Sequence, residues 1–186
     1  MNKQRCEWCT QNQIYIDYHD KEWGKPKHDD AILFELLILE GAQAGLSWLT
    51  VLKKRENYRK AFDKFNPKKV AKYDKTKVAE LLKNVGIIRN KLKVNSAIRN
   101  AKVFLEIQQE FGSFDKYIWQ FVNNKPINNH FKDISKIPAK TELSDTISKD
   151  LKKHGMNFVG STIMYAYMQA IGMVNDHTMN CFLYKK

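Results

Sequence analysis

The 186-residue sequence predicts an all-α protein of helix–hairpin–helix type, and three features predict it. Apolar residues recur at helical steps of three and four through most of the chain. An apolar helix end, a glycine turn and a basic helix start follow one another over 81–91. No stretch alternates polar and apolar residues as a half-buried strand requires.

The elements follow in order. The first stretch, with Trp8, Tyr15 and Tyr18, has little helical pattern and reads as loop. Asp29-Asp30 is placed to cap a helix whose inner face carries Leu33, Leu36 and Leu37, with Gly41 placed to end it. Residues 47–62 read as one helix with Trp48, Leu52 and Tyr58 inward. Pro67 suits the first turn of a short helix. Residues 75–84, a turn containing Gly86, and Lys91–Phe111 form the hairpin pair. Ser113 caps a helix running to Val122. Leu143, Ile147 and Leu151 mark another, stopped by Gly155. The last helix, 160–171, puts Ile163, Tyr167 and Ile171 on one face. Residues 123–140, containing Pro126 and Pro138, form the longest connection.

With 43% apolar residues the chain can bury a core, and its length suits one domain, 1–186. A formal net charge of +12 points to a polyanionic partner, nucleic acid or an anionic membrane surface. Met1-Asn2-Lys3-Gln4 opens no signal-type segment, and no apolar run is long enough to span a bilayer. A cytoplasmic protein is expected, with its three cysteines as thiols or metal ligands rather than disulfides.

The chain ends hold a metal-binding constellation: Cys6, Cys9 and His19 at one end, His177 and Cys181 at the other. The His177-x-x-x-Cys181 spacing would place both side chains on one side of a helical turn. Two cysteines and two histidines complete a tetrahedral Zn²⁺ site, and a closed site leaves no position for water, so its role would be structural. Cys6-x-x-Cys9 is also a ligand spacing, so residue pattern leaves the choice of cysteine open. His28, His130 and His154 lack ligand-like neighbours and read as solvated.

Two glutamates in the run 32–41 differ in their expected surroundings. Glu40 shares the inward face of Leu33, Leu36 and Leu37, in the last turn of its helix, whereas Glu35 lies off that face and reads as solvated. Burial and the helix dipole both disfavour a carboxylate at Glu40, so its pKa should rise. Trp8, Tyr15, Tyr18, Trp23 and Trp48 fall in the same first fifty residues. The faces of Trp8, Tyr15 and Tyr18 would make a slot for a planar, especially cationic, base. At the hairpin, Gly86 allows close approach to a phosphate, amides such as that of Ile88 would donate to it, and Arg89, Lys91 and Lys93 add charge.

The segments Tyr15-Ile16-Asp17-Tyr18-His19-Asp20-Lys21-Glu22-Trp23-Gly24, 39–56 and Asn175-Asp176-His177 closely resemble the bacterial 3-methyladenine DNA glycosylase I family. Phe158-Val159-Gly160-Ser161-Thr162 and the hairpin around Gly86 do so as well, so the resemblance covers essentially the whole chain. It implies the helix–hairpin–helix glycosylase fold and one structural zinc held by Cys6, His19, His177 and Cys181, with Cys9 a departure from the pattern. The terminal segments 1–28 and 173–186 would then be tied together on a helical body. It further implies that Glu40 hydrogen-bonds the excised base, that Trp8, Tyr15, Tyr18 and Trp48 shape its pocket, and that Leu46 plugs the gap left in the duplex.

The implied activity is hydrolysis of the N-glycosidic bond of 3-methyladenine in double-stranded alkylated DNA. The base is flipped and released free, by a monomeric enzyme without lyase activity. Relatives in the superfamily use an aspartate beyond the hairpin; here Glu106, Glu110 and Asp115 stand in no matching context. Two rivals are a zinc-stabilised DNA-binding protein without catalysis, and a zinc hydrolase with an open site at Cys6, His19 and His177. Cys181 as fourth ligand would close that site.

Overall fold

The computed structural model describes residues 3–9 and 12–185. Met1, Asn2 and Lys186, the outermost residues of the expected domain, lie outside the described residues, as do Thr10 and Gln11. Among the described residues the chain forms ten α-helices. They are α1 (Gln13–Lys21), α2 (Asp30–Gln43), α3 (Trp48–Leu52), α4 (Arg55–Ala61), α5 (Pro67–Val70), α6 (Lys75–Lys83), α7 (Lys91–Phe111), α8 (Phe114–Trp119), α9 (Glu142–Lys153) and α10 (Ser161–Ala170).

Short polar side chains start most of them. Asp29 accepts from the amides of Ala31 and Ile32, Asn90 from Lys93, and Ser113 from Lys116. Each such cap is worth about 1 kcal/mol. At α9, Thr141 and Ser144 bond each other's backbone amides reciprocally.

The core is organised around α2, which packs against α3, α7, α8 and α10. Leu33, Phe34, Leu36 and Leu39 are fully buried. Each contributes roughly 1.5–3 kcal/mol of apolar burial. A helix covered on nearly every side has no solvated face, which corrects the expectation for Glu35. Its carboxylate is buried and accepts from Arg55 Nε at 2.5 Å and Arg59 Nη2 at 2.7 Å.

Other boundaries differ from expectation for identifiable reasons. Gly41 does not end α2, which continues to Gln43. A Cβ on Gly41 would lie 3.4 Å from that of Phe158, so the glycine serves close packing. The single helix expected over 47–62 is broken at Lys53-Lys54, which turns Arg55 inward toward Glu35 and Glu22. The stretch read as loop contains α1, capped by Asn12, whose inward side is built from Tyr18 and His19 rather than aliphatic residues.

The long connection carries a two-residue strand, β1 (Ile127–Asn128), paired in parallel with β2 (Val174–Asn175). The register sets Ile127 against Val174 and Asn128 against Asn175, holding that connection beside the segment leading to His177. The two chain ends also meet directly, the Phe182 amide donating to the Gln4 carbonyl at 2.9 Å.

Candidate active site and metal centre

The N-terminal end of α1 and the C-terminal end of α2 face each other across a cavity of about 280 Å³. That lies at the small end of the roughly 300–1,000 Å³ range of ligand pockets and suits a single heterocyclic base. Trp8, Tyr15, Tyr18, Trp48 and Glu40 all line it. Trp8 meets Tyr15 edge-on at 5.0 Å between ring centroids, and Tyr18 lies 5.4 Å from Trp48. Burial pushes the Tyr18 phenol well above its ordinary range, so its hydroxyl keeps its proton.

Glu40 is 3% exposed, and its Oε2 has no hydrogen-bond partner. Burial pushes its carboxyl up to about 8, so at neutral pH it is mainly the uncharged acid. The Trp48 indole N–H is likewise buried without a partner. A buried polar atom left unbonded costs about 1–3 kcal/mol, which a ligand carrying complementary groups would recover.

Sequence reasoning missed part of the lining. Trp23, Gln43 and Gln169 also face the cavity, with Ile134 and Ile137 closing it from the long connection. Gln43 follows Glu40 at a helical step of three, a spacing that could have found it. Gln169 is oriented by its amide, which donates to Asp176 Oδ2 at 2.7 Å. Asp176 is fully buried and also accepts from Tyr165 and Asn129.

Behind the pocket, the ligand atoms of Cys6, His19, His177 and Cys181 lie within 4.8 Å of one another, all buried. Cys181 Sγ stands 3.4 Å from His19 Nε2 and 3.5 Å from His177 Nδ1, and Cys6 Sγ 3.6 Å from His177 Nδ1. A tetrahedral Zn²⁺ with bonds of ~2.3 Å to sulfur and ~2.0–2.1 Å to nitrogen has S···N edges of about 3.5 Å, so the donor set fits.

The outward ring nitrogens are also engaged: His19 Nδ1 with Asp20 at 2.8 Å, and His177 Nε2 with the Trp23 carbonyl at 3.4 Å. Such partners fix ring orientation and tautomer at metal sites. Cys9 stands outside the cluster, its thiol donating to the Cys6 carbonyl at 3.2 Å. The helical turn expected at 177–181 is instead a tight turn in which the Cys181 amide donates to the Thr178 carbonyl. Of the histidines expected to be solvated, His28 and His130 are exposed, where they pair with Asp115 and Tyr184, while His154 is half-buried beside Asp150.

Leu46 is 42% exposed on the turn between pocket residues Gln43 and Trp48. At the hairpin, Arg89 and Lys91 are exposed. The amides of Gly86 and Ile88 already donate within the chain, to Asn84 Oδ1 and Tyr58 Oη. A Cβ on Gly86 would lie 3.0 Å from Asn57 Cβ, so this glycine fits the turn against α4. Lys93 is engaged within the chain, donating to the carbonyls of Ala42 and Ala44.

The methyladenine glycosylase family model matches residues 8–184. A DNA-3-methyladenine glycosylase of Haemophilus influenzae is 50% identical over 177 residues, covering 95% of this chain and 96% of that protein. The crystal structure of a 3-methyladenine DNA glycosylase I superposes with a TM-score of 0.96 at 48% identity, covering 98% of this chain and 100% of the other. A variant of 3-methyladenine DNA glycosylase I in complex with 3-methyladenine gives a TM-score of 0.94 at 35% identity, covering 98% of each chain.

Proposed function

The chain belongs to the methyladenine glycosylase family, and from that premise we propose that it excises 3-methyladenine from double-stranded alkylated DNA by flipping the damaged nucleotide into the aromatic pocket. The observation that carries this reading is an uncharged, unpartnered carboxyl, Glu40, inside an aromatic cavity of single-base size.

Flipping costs a few kcal/mol, less for a poorly stacked damaged base. Stacking on Trp8, Tyr15, Tyr18 and Trp48 offsets about 1–3 kcal/mol of it. Methylation at N3 places positive charge on the base. A cation beside Glu40 lowers its pKa, so the carboxyl releases its proton to solvent as the base docks. The carboxylate then accepts from the 6-amino group and repels the O6 of a methylated guanine. Leu46 fills the space vacated in the duplex.

When the bond between sugar and base breaks, its electron pair moves onto the ring and neutralises the methylated base. No acid is needed to expel a leaving group of this kind. The sugar carries oxocarbenium character until water adds to it and gives up a proton. Glu40 acts first in recognition, and as a carboxylate lining the pocket it supports that developing charge.

Among the described residues the pocket lining contains no lysine, which supports hydrolysis without a Schiff base or strand cleavage. Arg89 and Lys91 hold phosphate oxygens, and the Gly86–Ile88 turn shapes the hairpin that presents them. Zinc held by Cys6, His19, His177 and Cys181 would supply cross-linking of the chain ends and no open coordination position. Pocket and ligand set come from one chain, so a monomer suffices.

The test is incubation with methylated duplex DNA and identification of the released bases. Free 3-methyladenine, without 7-methylguanine and with intact abasic strands, is expected. DNA binding without base release would overturn the reading.

A further inference from the structure

The turn that carries Leu46 projects from the body with little packing beneath it. Gly45 has φ +75°, and a Cβ there would meet nothing within 4 Å. Leu46 is 42% exposed, and its amide closes the turn onto the Gln43 carbonyl at 2.6 Å. Tertiary support arrives from the second hairpin helix. Lys93 Nζ donates to the carbonyls of Ala42 at 2.8 Å and Ala44 at 2.7 Å, the last carbonyls of α2 and the start of the turn. These carbonyls carry the negative end of the helix dipole, and the ammonium satisfies both. Lys93 belongs to the first turn of α7, where Asn90 caps the Lys93 amide, directly after Arg89 and beside Lys91.

We propose that Lys93 is a positioning residue for base extrusion, holding the Leu46 turn in its inserting shape and tying it to the hairpin that grips the phosphates. The proposal rests on the glycosylase reading above. An insertion residue on an unsupported turn would have to order itself at the moment of flipping. Two charge-assisted bonds settle that ordering beforehand. The same ammonium joins the helix bearing Glu40 to the helix that starts at the phosphate-binding turn, so docking of the hairpin fixes where Leu46 enters.

The experiment compares Lys93→Met, Lys93→Arg, Leu46→Ala and the Lys93→Met/Leu46→Ala double variant with the wild-type full chain. Single-turnover release of 3-methyladenine is followed from duplex and from single-stranded methylated DNA, and binding of free 3-methyladenine is measured in parallel. Lys93→Met should slow duplex excision about tenfold while single-strand excision and free-base affinity change by less than about twofold. Lys93→Arg should restore most of the duplex rate. In the Leu46→Ala background Lys93→Met should cost less than about twofold more, the non-additivity of residues acting as a unit.

A duplex rate within about twofold of wild type, or an undiminished effect in the Leu46→Ala background, would overturn the proposal. Equal losses on free base and both DNA forms would reduce Lys93 to a fold-stabilising cap and overturn it too. Absence of 3-methyladenine release by the wild type would instead refute the underlying function.

Discussion

Tyr18 and His19 are neighbours on α1 and serve different sites. The Tyr18 ring lies 5.4 Å from Trp48 in the aromatic pocket, while His19 Nε2 lies 3.4 Å from Cys181 Sγ in the cysteine–histidine cluster. The rotation of one short helix therefore sets both. Trp8 spans the same gap, 5.4 Å from His19 and 5.0 Å from Tyr15.

Removing a proposed metal ligand should consequently loosen the pocket. Cys181→Ser is expected to lower zinc content and the melting temperature by about 5–10 °C, with a weaker affinity for free 3-methyladenine. Cys9→Ser should leave metal content at one ion per chain, because Cys9 stands outside the cluster. Elemental analysis of the purified variants decides both; full zinc occupancy in Cys181→Ser would remove the clasp.

Glu40 and Glu35 should respond in opposite ways to the same substitution. Glu40 holds its proton more tightly folded, near 8, than unfolded, near its ordinary value of 4.5. Stability is therefore lost as pH rises from about 4.5 to about 8, by up to roughly 5 kcal/mol, and is level beyond. Glu40→Gln removes that loss, so above pH 8 it should unfold at higher denaturant than wild type. Its excision should fall by about 10²-fold. An unchanged excision rate would remove Glu40 from the site.

Glu35→Gln should weaken the fold and spare the chemistry. Its carboxylate joins Arg55 and Arg59, and replacing it leaves the largely buried Arg55 with Glu22 as its remaining carboxylate and Arg59 with Glu56. A loss of about 2–4 kcal/mol is expected, discounted because Arg59 reaches solvent. Denaturant midpoints at pH 7 measure it, with the excision rate at 20 °C below the melting point as the control. Wild-type stability in this variant would contradict the pairing of Glu35 with Arg55 and Arg59.

These contrasts also mark what the sequence could and could not disclose. Periodicity placed α7, α9 and α10 closely, because long helices with one covered face repeat their pattern. It misplaced Glu35, because a wheel assumes one solvated side and α2 has almost none. It passed over α1, because Tyr18 and His19 form the inward side of a helix with few aliphatic residues. It brought Glu40 inward correctly, since that residue lies in register with Leu33, Leu36 and Leu37. Ile134, Ile137 and Gln169 carry no local signal; only the pairing of β1 with β2 and the buried Asp176 bring them to the pocket.

Neutralising the hairpin should weaken DNA binding without touching base recognition. Arg89 and Lys91 are exposed, and Lys91 faces the groove between α6 and α7 rather than the base pocket. If each contacts one phosphate, the Arg89→Ala/Lys91→Ala double variant releases two fewer counterions on binding. The slope of log affinity against log salt should then become shallower by about 1.8 on duplex DNA. Affinity should fall similarly for methylated and unmethylated duplexes, since phosphate contacts carry no base information. Binding of free 3-methyladenine, which has no phosphate to lose, should stay within about twofold of wild type. Fluorescence anisotropy over a salt series gives the slope. An unaltered slope would move the phosphate contacts to other lysines of this strongly basic chain, and a loss of free-base binding would mean that the hairpin supports the pocket itself.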